Sequence, residues 1–244
     1  MSGSLRIVGL GPGAPGLVTP QADEALALAS DVFGYGPYVA RIPERPGLTL
    51  HASDNREELM RARAALAAAA AGRQAVIVSG GDPGVFAMAA AVFEALEDVS
   101  DWHDLDIAVL PGITAMLAAA AAVGAPLGHD FCALNVSDNL KSWAVIARRL
   151  ALAVEADFAI ALYNPRSKAR PDALARAFTV MVEAGAGERL VMLVRDASRP
   201  DQSVRIAPLR ETDPGVVDMR TLVIVGSSAT RRVGRWVYTP RQGA

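Results

Sequence analysis

Three short apolar runs each end in a turn rich in glycine and proline, and this recurrence limits the possible folds more than any other feature of the chain. Residues 5–11 run into Pro12-Gly13, residues 75–79 into Gly80-Gly81-Asp82-Pro83, and residues 105–110 into Pro111-Gly112-Ile113-Thr114-Ala115. Runs of this length bounded by turn residues read as buried strands of an α/β sheet. At its carboxyl end such a strand exposes its last carbonyls, and the next helix its unpaired N–H groups, so small residues there let a ligand approach main chain. The pattern predicts a small-molecule site made mostly of backbone.

The rest of the first half fits alternating strands and helices. Thr19 and Pro20 form a helix start, a hydroxyl N-cap followed by proline in the first helical position, leading into a helix over 22–29. A strand follows over 31–35. Asp54-Asn55-Arg56-Glu57 has the spacing of a capping box, and Leu59, Ala62 and Leu66 recur behind it until Gly72 ends the segment. Pro83 is expected to open a helix over 85–96, and a small apolar helix is expected over 113–123. Gly124-Ala125-Pro126-Leu127-Gly128 reads as a linker, which divides the chain into an N-terminal α/β lobe, 1–123, and a C-terminal lobe, 124–244. In the second lobe strands are expected at 131–135 and 157–163, with helices opening at Ser142 and Pro171. Strands at 189–195, 203–207, 221–226 and 235–238 then follow one another, and successive strands of this kind predict a mixed sheet. The fold class is α/β, two-lobed.

Composition removes several function classes. Hydrophobic residues make up 52% and charged residues 20% of the 244, a balance that supports a packed core rather than disorder. The formal charge of −2 leaves no electrostatic footprint for nucleic acid, although basic residues gather at Arg166, Lys168 and Arg170 and again at Arg231, Arg232 and Arg235. Cys132 is the only cysteine and lies in an apolar stretch, which excludes a disulfide framework and reads as a packed thiol. His51, His103 and His129 are far apart and no histidine or cysteine pair has metal-ligand spacing, so no metal is expected. The N-terminus enters a strand without a signal-peptide pattern, and the alanine tracts at 67–71 and 118–122 are too short to span a bilayer, so a cytoplasmic location is expected.

Two readings of the loops compete. Gly9, Gly11 and Ala14 can be laid on a dinucleotide fingerprint, but Pro12, Pro15 and Gly16 delay any helix to about Thr19, leaving no helix N-terminus for a pyrophosphate. Asp31 also precedes its strand, where an acid that grips ribose should follow it. In Gly80-Gly81-Asp82-Pro83-Gly84-Val85-Phe86, Asp82 offers a strand-end carboxylate to ribose hydroxyls or a cation, or else caps the next helix. Thr114 likewise serves a ligand or its own helix. No loop supplies a nucleophile with a paired base. Together the loops read as a cofactor cradle, with a dinucleotide oxidoreductase and a non-catalytic ligand-binding module both open as readings of it.

In this order, the motifs at 9–13, 80–86 and 111–115 resemble the tetrapyrrole methyltransferases that use S-adenosylmethionine, and the resemblance covers nearly the whole chain. Gly34-Tyr35-Gly36-Pro37-Tyr38, Asp54-Asn55-Arg56-Glu57-Glu58, Gly128-His129-Asp130-Phe131-Cys132, Ser137-Asp138-Asn139-Leu140 and Leu162-Tyr163-Asn164-Pro165-Arg166 resemble the branch of the family that methylates a precorrin at C17 in cobalamin biosynthesis. Asn164 stands where many members of the wider family carry methionine. The resemblance implies an N-terminal mostly parallel sheet with helices, a C-terminal mixed sheet with helices, a cleft between them and a homodimer. It assigns S-adenosylmethionine to Pro12, Gly80, Gly81, Asp82, Val85, Phe86, Thr114, Ala115, Tyr163, Asn164 and Ala197. The reaction it implies methylates C17 and contracts the ring, which requires a proton acceptor. His129, Asp130 and Asp138 are candidates for that role, with Asp130 the first choice. Arg166, Lys168 and Lys141 are assigned to the carboxylates of the tetrapyrrole substrate, which is metal-free in one route and cobalt-bound in another.

Overall fold

The computed structural model describes residues 3–242, and the chain divides into two compact units, Met1–Ala115 and Met116–Ala244. In the first unit the order is β1 (Ser4–Gly9), α1 (Pro20–Leu28), β2 (Asp31–Tyr35), α2 (Gly36–Val39), β3 (Thr49–Ser53), α3 (Glu58–Ala70), β4 (Gln74–Ser79), α4 (Met88–Glu97) and β5 (Asp106–Leu110). The five strands form one parallel sheet in the order β3-β2-β4-β1-β5. In the dinucleotide-binding order the first two strands are neighbours. Here β4 lies between them. The sheet's apolar side chains are buried on both faces, Leu5, Ile7 and Ile77 beneath α3 and α4, and Val8, Val32 and Val78 in a second cluster with Ala22 of α1.

Local sequence signals account for most of these boundaries. The Thr19 hydroxyl accepts a hydrogen bond from the Ala22 amide at 3.2 Å, with Pro20 in the first helical turn. Gly72 closes α3 at φ +85°: its amide donates to Ala69 and that of Arg73 to Ala68, which satisfies carbonyls the helix end would leave unpaired. The expected capping box forms by half. Glu57 reaches back to the Asp54 amide at 2.9 Å, but the Asp54 side chain accepts from Asn55 and α3 begins only at Glu58. A larger correction concerns α4, which starts at Met88 rather than at 85. Phe86 is left-handed at φ +53° and Ala87 is extended, so the segment after Pro83 stays an open loop. Neither α2 nor β3 was expected, because Gly36-Pro37 reads as a turn and the half-polar β3 lies at the sheet edge.

The second unit contains α5 (Ala115–Val123, from its second residue), β6 (Gly124–Ala125), β7 (Phe131–Asn135), α6 (Trp143–Glu155), β8 (Ala159–Tyr163), α7 (Ala173–Met181), β9 (Leu190–Arg195), β10 (Ser203–Pro208), β11 (Thr221–Val225), β12 (Arg231–Val233) and β13 (Trp236–Tyr238). Its main sheet runs β10-β9-β11-β8-β7, with only β7 and β8 parallel, so it is mixed as expected. Ile146, Leu150 and Val154 of α6 and Leu174, Phe178 and Met181 of α7 pack on it in one core. The segment expected to be a linker instead belongs to the unit. Its Gly124 and Ala125 pair with Val237 and Tyr238, and the Thr239 hydroxyl donates to the Pro126 carbonyl at 2.6 Å. Among the described residues no helix is long and apolar enough to cross a membrane.

Asp31 opens β2 at the amino edge of the first sheet, buried beneath its partners, and holds that edge together. It accepts from Arg73 at 2.7 Å, Ser30 at 2.8 Å and the His51 ring at 2.9 Å, and that ring stacks on Phe33. Burial raises its pKa, but the bonds from His51, Arg73 and Ser30 outweigh burial and hold the carboxyl below its ordinary value. A carboxyl depressed in this way stabilises the fold fully above the unfolded carboxylate range, and that contribution is lost as the pH falls through the folded value. Asp31→Asn should therefore lower the unfolding free energy by about 2 kcal/mol near neutral pH. The deficit should shrink as the pH falls below about 4. Urea titrations at pH 7 and pH 3 that give the same deficit contradict this role.

Candidate functional site

The parallel register sets the three glycine and proline turns side by side. Strands β4, β1 and β5 are neighbours, with Gly9 level with Ser79 and Val8 level with Leu110, so all three turns leave the same edge. The first two are joined directly: the Gly11 amide donates to the Gly81 carbonyl at 3.1 Å and the Gly81 amide to the Gly11 carbonyl at 2.9 Å. Asp82 joins the second to the third. Its Oδ2 accepts from the Gly112 amide at 3.0 Å, and its Oδ1 accepts from Gly84 at 2.8 Å, holding its own turn.

Several glycines here answer to this contact of chain with chain. A Cβ on Gly9 would stand 2.6 Å from the Gly81 carbonyl oxygen and 2.8 Å from Gly112, and one on Gly112 would overlap that same oxygen. Gly11 and Gly81 are left-handed, at φ +63° and +66°, where a side chain brings strain. A Cβ on Gly81 would meet Thr114 and Ala115 at 3.4 and 3.6 Å, so the structure brings Gly80, Gly81, Asp82, Thr114 and Ala115 together, and Pro12 follows directly on Gly11. Val85 donates its amide to the Asp82 carbonyl at 3.3 Å, and the Phe86 ring, set by a left-handed backbone, is 47% exposed. Asp82 does not cap α4, which starts well beyond it.

The carboxyl ends of β7 and β8 form a polar edge in the second unit, with Asn135 level with Tyr163. Asn164 is left-handed at φ +52° and donates from Nδ2 to Asn135 Oδ1 at 3.2 Å, while Asn135 also accepts from the Ser137 amide at 2.9 Å. The Tyr163 hydroxyl accepts from the Met116 amide at 3.1 Å. Arg170 lies between the Asn164 carbonyl at 3.5 Å and the Asp138 carboxylate at 3.9 Å. Since β8 and β9 both run opposite to β11, they share a direction, and Ala197, just past β9, leaves by this edge too. Sequence reasoning overlooked Asn135 and read Arg170 only as part of a basic cluster suited to an acidic small molecule. No local motif marks either; the strand register sets Asn135 beside Asn164, and the turn closed by Ser167 and Arg170 brings Arg170 back to it.

Strand β7 divides the three candidate proton acceptors. His129 and Asp130 precede β7 whereas Asp138 follows it, and five residues of strand separate them by about 15 Å. His129 lies 3.7 Å from Asp130 at the amino edge, where Asp157 accepts from both the amide and the hydroxyl of Ser228 and pairs with Arg189 at 2.7 Å. The three candidate proton acceptors are therefore not one group. The Arg166 guanidinium donates from Nε to the Pro171 carbonyl and from Nη1 to the carbonyls of Gly215 and Val217. Lys168 is exposed and Lys141 half-buried, its pKa lowered by burial and then by the charge of Arg149. Cys132 is packed, and burial pushes its thiol up to about 11, which keeps it protonated and inert.

The model of the tetrapyrrole (corrin/porphyrin) methylases matches residues 4–213. The chain is 53% identical over 247 residues to a precorrin-3B C(17)-methyltransferase from Sinorhizobium sp, covering 99% of this chain and 97% of that protein. The crystal structure of the methyltransferase CobJ superposes with a TM-score of 0.96 at 56% identity, over 98% of this chain and 100% of that one. A uroporphyrin-III C-methyl transferase from Thermus thermophilus, complexed with S-adenyl homocysteine, shares the fold at TM-score 0.67 and 23% identity, with 92% of each chain covered.

The packing of turn on turn makes a direct prediction. Gly112→Ala should destabilise by about 3 kcal/mol, because backbone must move to admit the Cβ. Gly16→Ala, whose Cβ would meet nothing within 4 Å, should stay within about 0.5 kcal/mol of the parent in urea unfolding. Equal stabilities for the two variants contradict the contact.

Proposed function

Starting from the chain's membership of the tetrapyrrole (corrin/porphyrin) methylase family, we propose that it methylates precorrin-3B at C17 with S-adenosylmethionine and contracts the ring to precorrin-4. The observation that carries this reading is the near full-length similarity to a precorrin-3B C(17)-methyltransferase. In support, the glycine and proline turns follow three adjacent parallel strands, the place where a backbone-lined site is expected. Homodimer formation belongs to the same proposal, and sedimentation at twice the 25.5 kDa chain mass tests it.

The residues present fit the cofactor. Each Asp82 oxygen accepts one amide and keeps a lone pair for a ribose hydroxyl or an ammonium group. Ser198 Oγ, beside Ala197, is buried with no partner among the described residues. Of the residues we assign to cofactor binding, Pro12, Gly80, Gly81, Asp82, Val85, Phe86, Thr114 and Ala115 lie on the turns of the first unit, and Tyr163, Asn164 and Ala197 lie on the carboxyl edge of the second unit's sheet. When bound, S-adenosylmethionine supplies a methyl group already activated by its sulfonium. The protein's part is to align the acceptor carbon and exclude water. Lys141 and Lys168 attract the substrate's carboxylates, while Arg166 ties the loop after β8 to the 215–217 segment. Ring contraction needs a hydroxyl proton removed, and Asp138, on the edge shared with Tyr163 and Asn164, is the acceptor we assign to it.

Four measurements test this function. S-adenosylhomocysteine should raise the thermal midpoint where NAD does not; the opposite result favours an oxidoreductase, and no shift with either favours a binding module. Asp82→Ala should weaken that binding by about tenfold, or ~1.5 kcal/mol. Asp138→Asn, if its thermal midpoint stays near the parent's, should accumulate methylated, uncontracted product, seen by mass and absorbance. Contracted product at the parent rate removes Asp138 from the step. Assays on metal-free and cobalt-bound substrate decide the route, and turnover of the cobalt-bound form alone overturns the precorrin-3B assignment.

A further inference from the structure

The turn that leaves β9 is held in an unfavourable form. Asp196 and Ser198 are both left-handed, at φ +51° and +66°, although neither is glycine, and they flank Ala197. A non-glycine residue in this region costs free energy, and two within three residues persist only where surrounding structure fixes them. Ser198 Oγ, in addition, is buried without a partner among the described residues.

The fixing structure is an ion network centred on a buried carboxylate. The Asp196 side chain is 2% exposed and accepts from Arg220 Nε at 2.7 Å and Arg220 Nη2 at 2.5 Å, a bidentate pair. Arg195 Nη1 lies 2.9 Å from Asp196, and Arg195 Nε donates to Asp218 at 3.0 Å. Asp218 also accepts from the Thr221 hydroxyl and the Arg220 amide; burial raises its pKa, but the bond from Arg195, with those two, outweighs burial and holds it down. Backbone bonds run alongside: the Asp196 amide donates to the Arg220 carbonyl, the Arg199 amide to the Asp196 carbonyl, and the Ser198 amide to Gln202 Oε1 at 2.7 Å. The turn is thus clamped at both ends while its own hydroxyl goes unsatisfied. Stability given up at one point and recovered by a network around it marks a conformation kept for another purpose.

We propose that Asp196, with Arg220 and Arg195, is a positioning group that fixes the strained 196–198 turn in the form that receives the cofactor at Ala197. This rests on the cofactor assignment made above. The carboxylate touches no ligand itself. It acts through the backbone of Ala197, so its loss is read in cofactor affinity and leaves substrate recognition and the chemistry at saturation unchanged.

The test uses the full-length protein with Arg220→Gln, Arg220→Lys and Asp196→Asn. Arg220 is the safer site because its side chain is half exposed. Calorimetry gives the S-adenosylhomocysteine Kd of the folded variants, and kinetics give separate KM values for S-adenosylmethionine and tetrapyrrole. Arg220→Gln is expected to raise the Kd and the S-adenosylmethionine KM at least fivefold, to hold the tetrapyrrole KM within twofold and to change kcat at saturation little. Arg220→Lys, which keeps a charge on Asp196, should recover part of the loss. A lowered thermal midpoint with unchanged Kd and KM would mean that the network only stabilises the fold, and overturns the proposal. If Asp196→Asn does not fold, the Arg220 pair decides the matter alone. Parent protein that takes up no S-adenosylhomocysteine defeats the cofactor assignment and this proposal with it; parent binding with unaltered variants defeats this proposal only.

Discussion

The mutual hydrogen bonds between Gly11 and Gly81, extended to Gly112 by Asp82, are the contact on which the carboxyl edge of the first unit's sheet depends. They join turns that follow three neighbouring strands but lie far apart in sequence. Backbone groups at strand ends must find partners once buried. Here they find one another, which leaves no room for side chains at Gly9 or Gly112. The resulting edge is rigid main chain with one carboxylate in it, suited to holding a small ligand in a fixed pose rather than to attacking it.

The second unit builds its edge differently. The sheet is mixed, with β7 and β8 the only parallel pair, and the left-handed positions belong to Asn164, Asp196 and Ser198 rather than to glycine. Side chains therefore do the holding: Asn135 receives Asn164, Tyr163 receives the Met116 amide, and Arg220 grips Asp196. The first edge gains its shape by removing side chains and the second by pinning them. Charge follows the same division, since Arg166, Lys168 and Arg170 gather past β8 whereas the first edge presents Asp82.

Element identity was legible because its causes are local. The Thr19-Pro20 helix start, the Gly72 stop and the apolar runs of β1, β4, β7 and β11 depend on neighbours within a few residues. Where tertiary contact overrode local preference, the reading failed. Pro83 did not open α4 because Phe86 turns left-handed, and the residues past Val123 became a strand because β13 was there to pair with. His129, Asp130 and Asp138 looked equivalent as candidates for a related reason: proximity in sequence hid the fact that a strand carries its two ends to opposite edges of a sheet.

By itself the sequence determined that this is an α/β protein with three glycine and proline turns at strand ends, one strand-end carboxylate and a match to the tetrapyrrole methylases, since composition, spacing and motif order are properties of the chain. Tertiary structure alone decided that β4, β1 and β5 are neighbours and which edge each polar residue shares. It also decided that the Arg166 guanidinium donates to carbonyls distant in sequence and that Asp196 is buried under Arg220. The physical reason is that strand order and register are set by burial of whole sheet faces, a global condition that no short stretch of sequence contains.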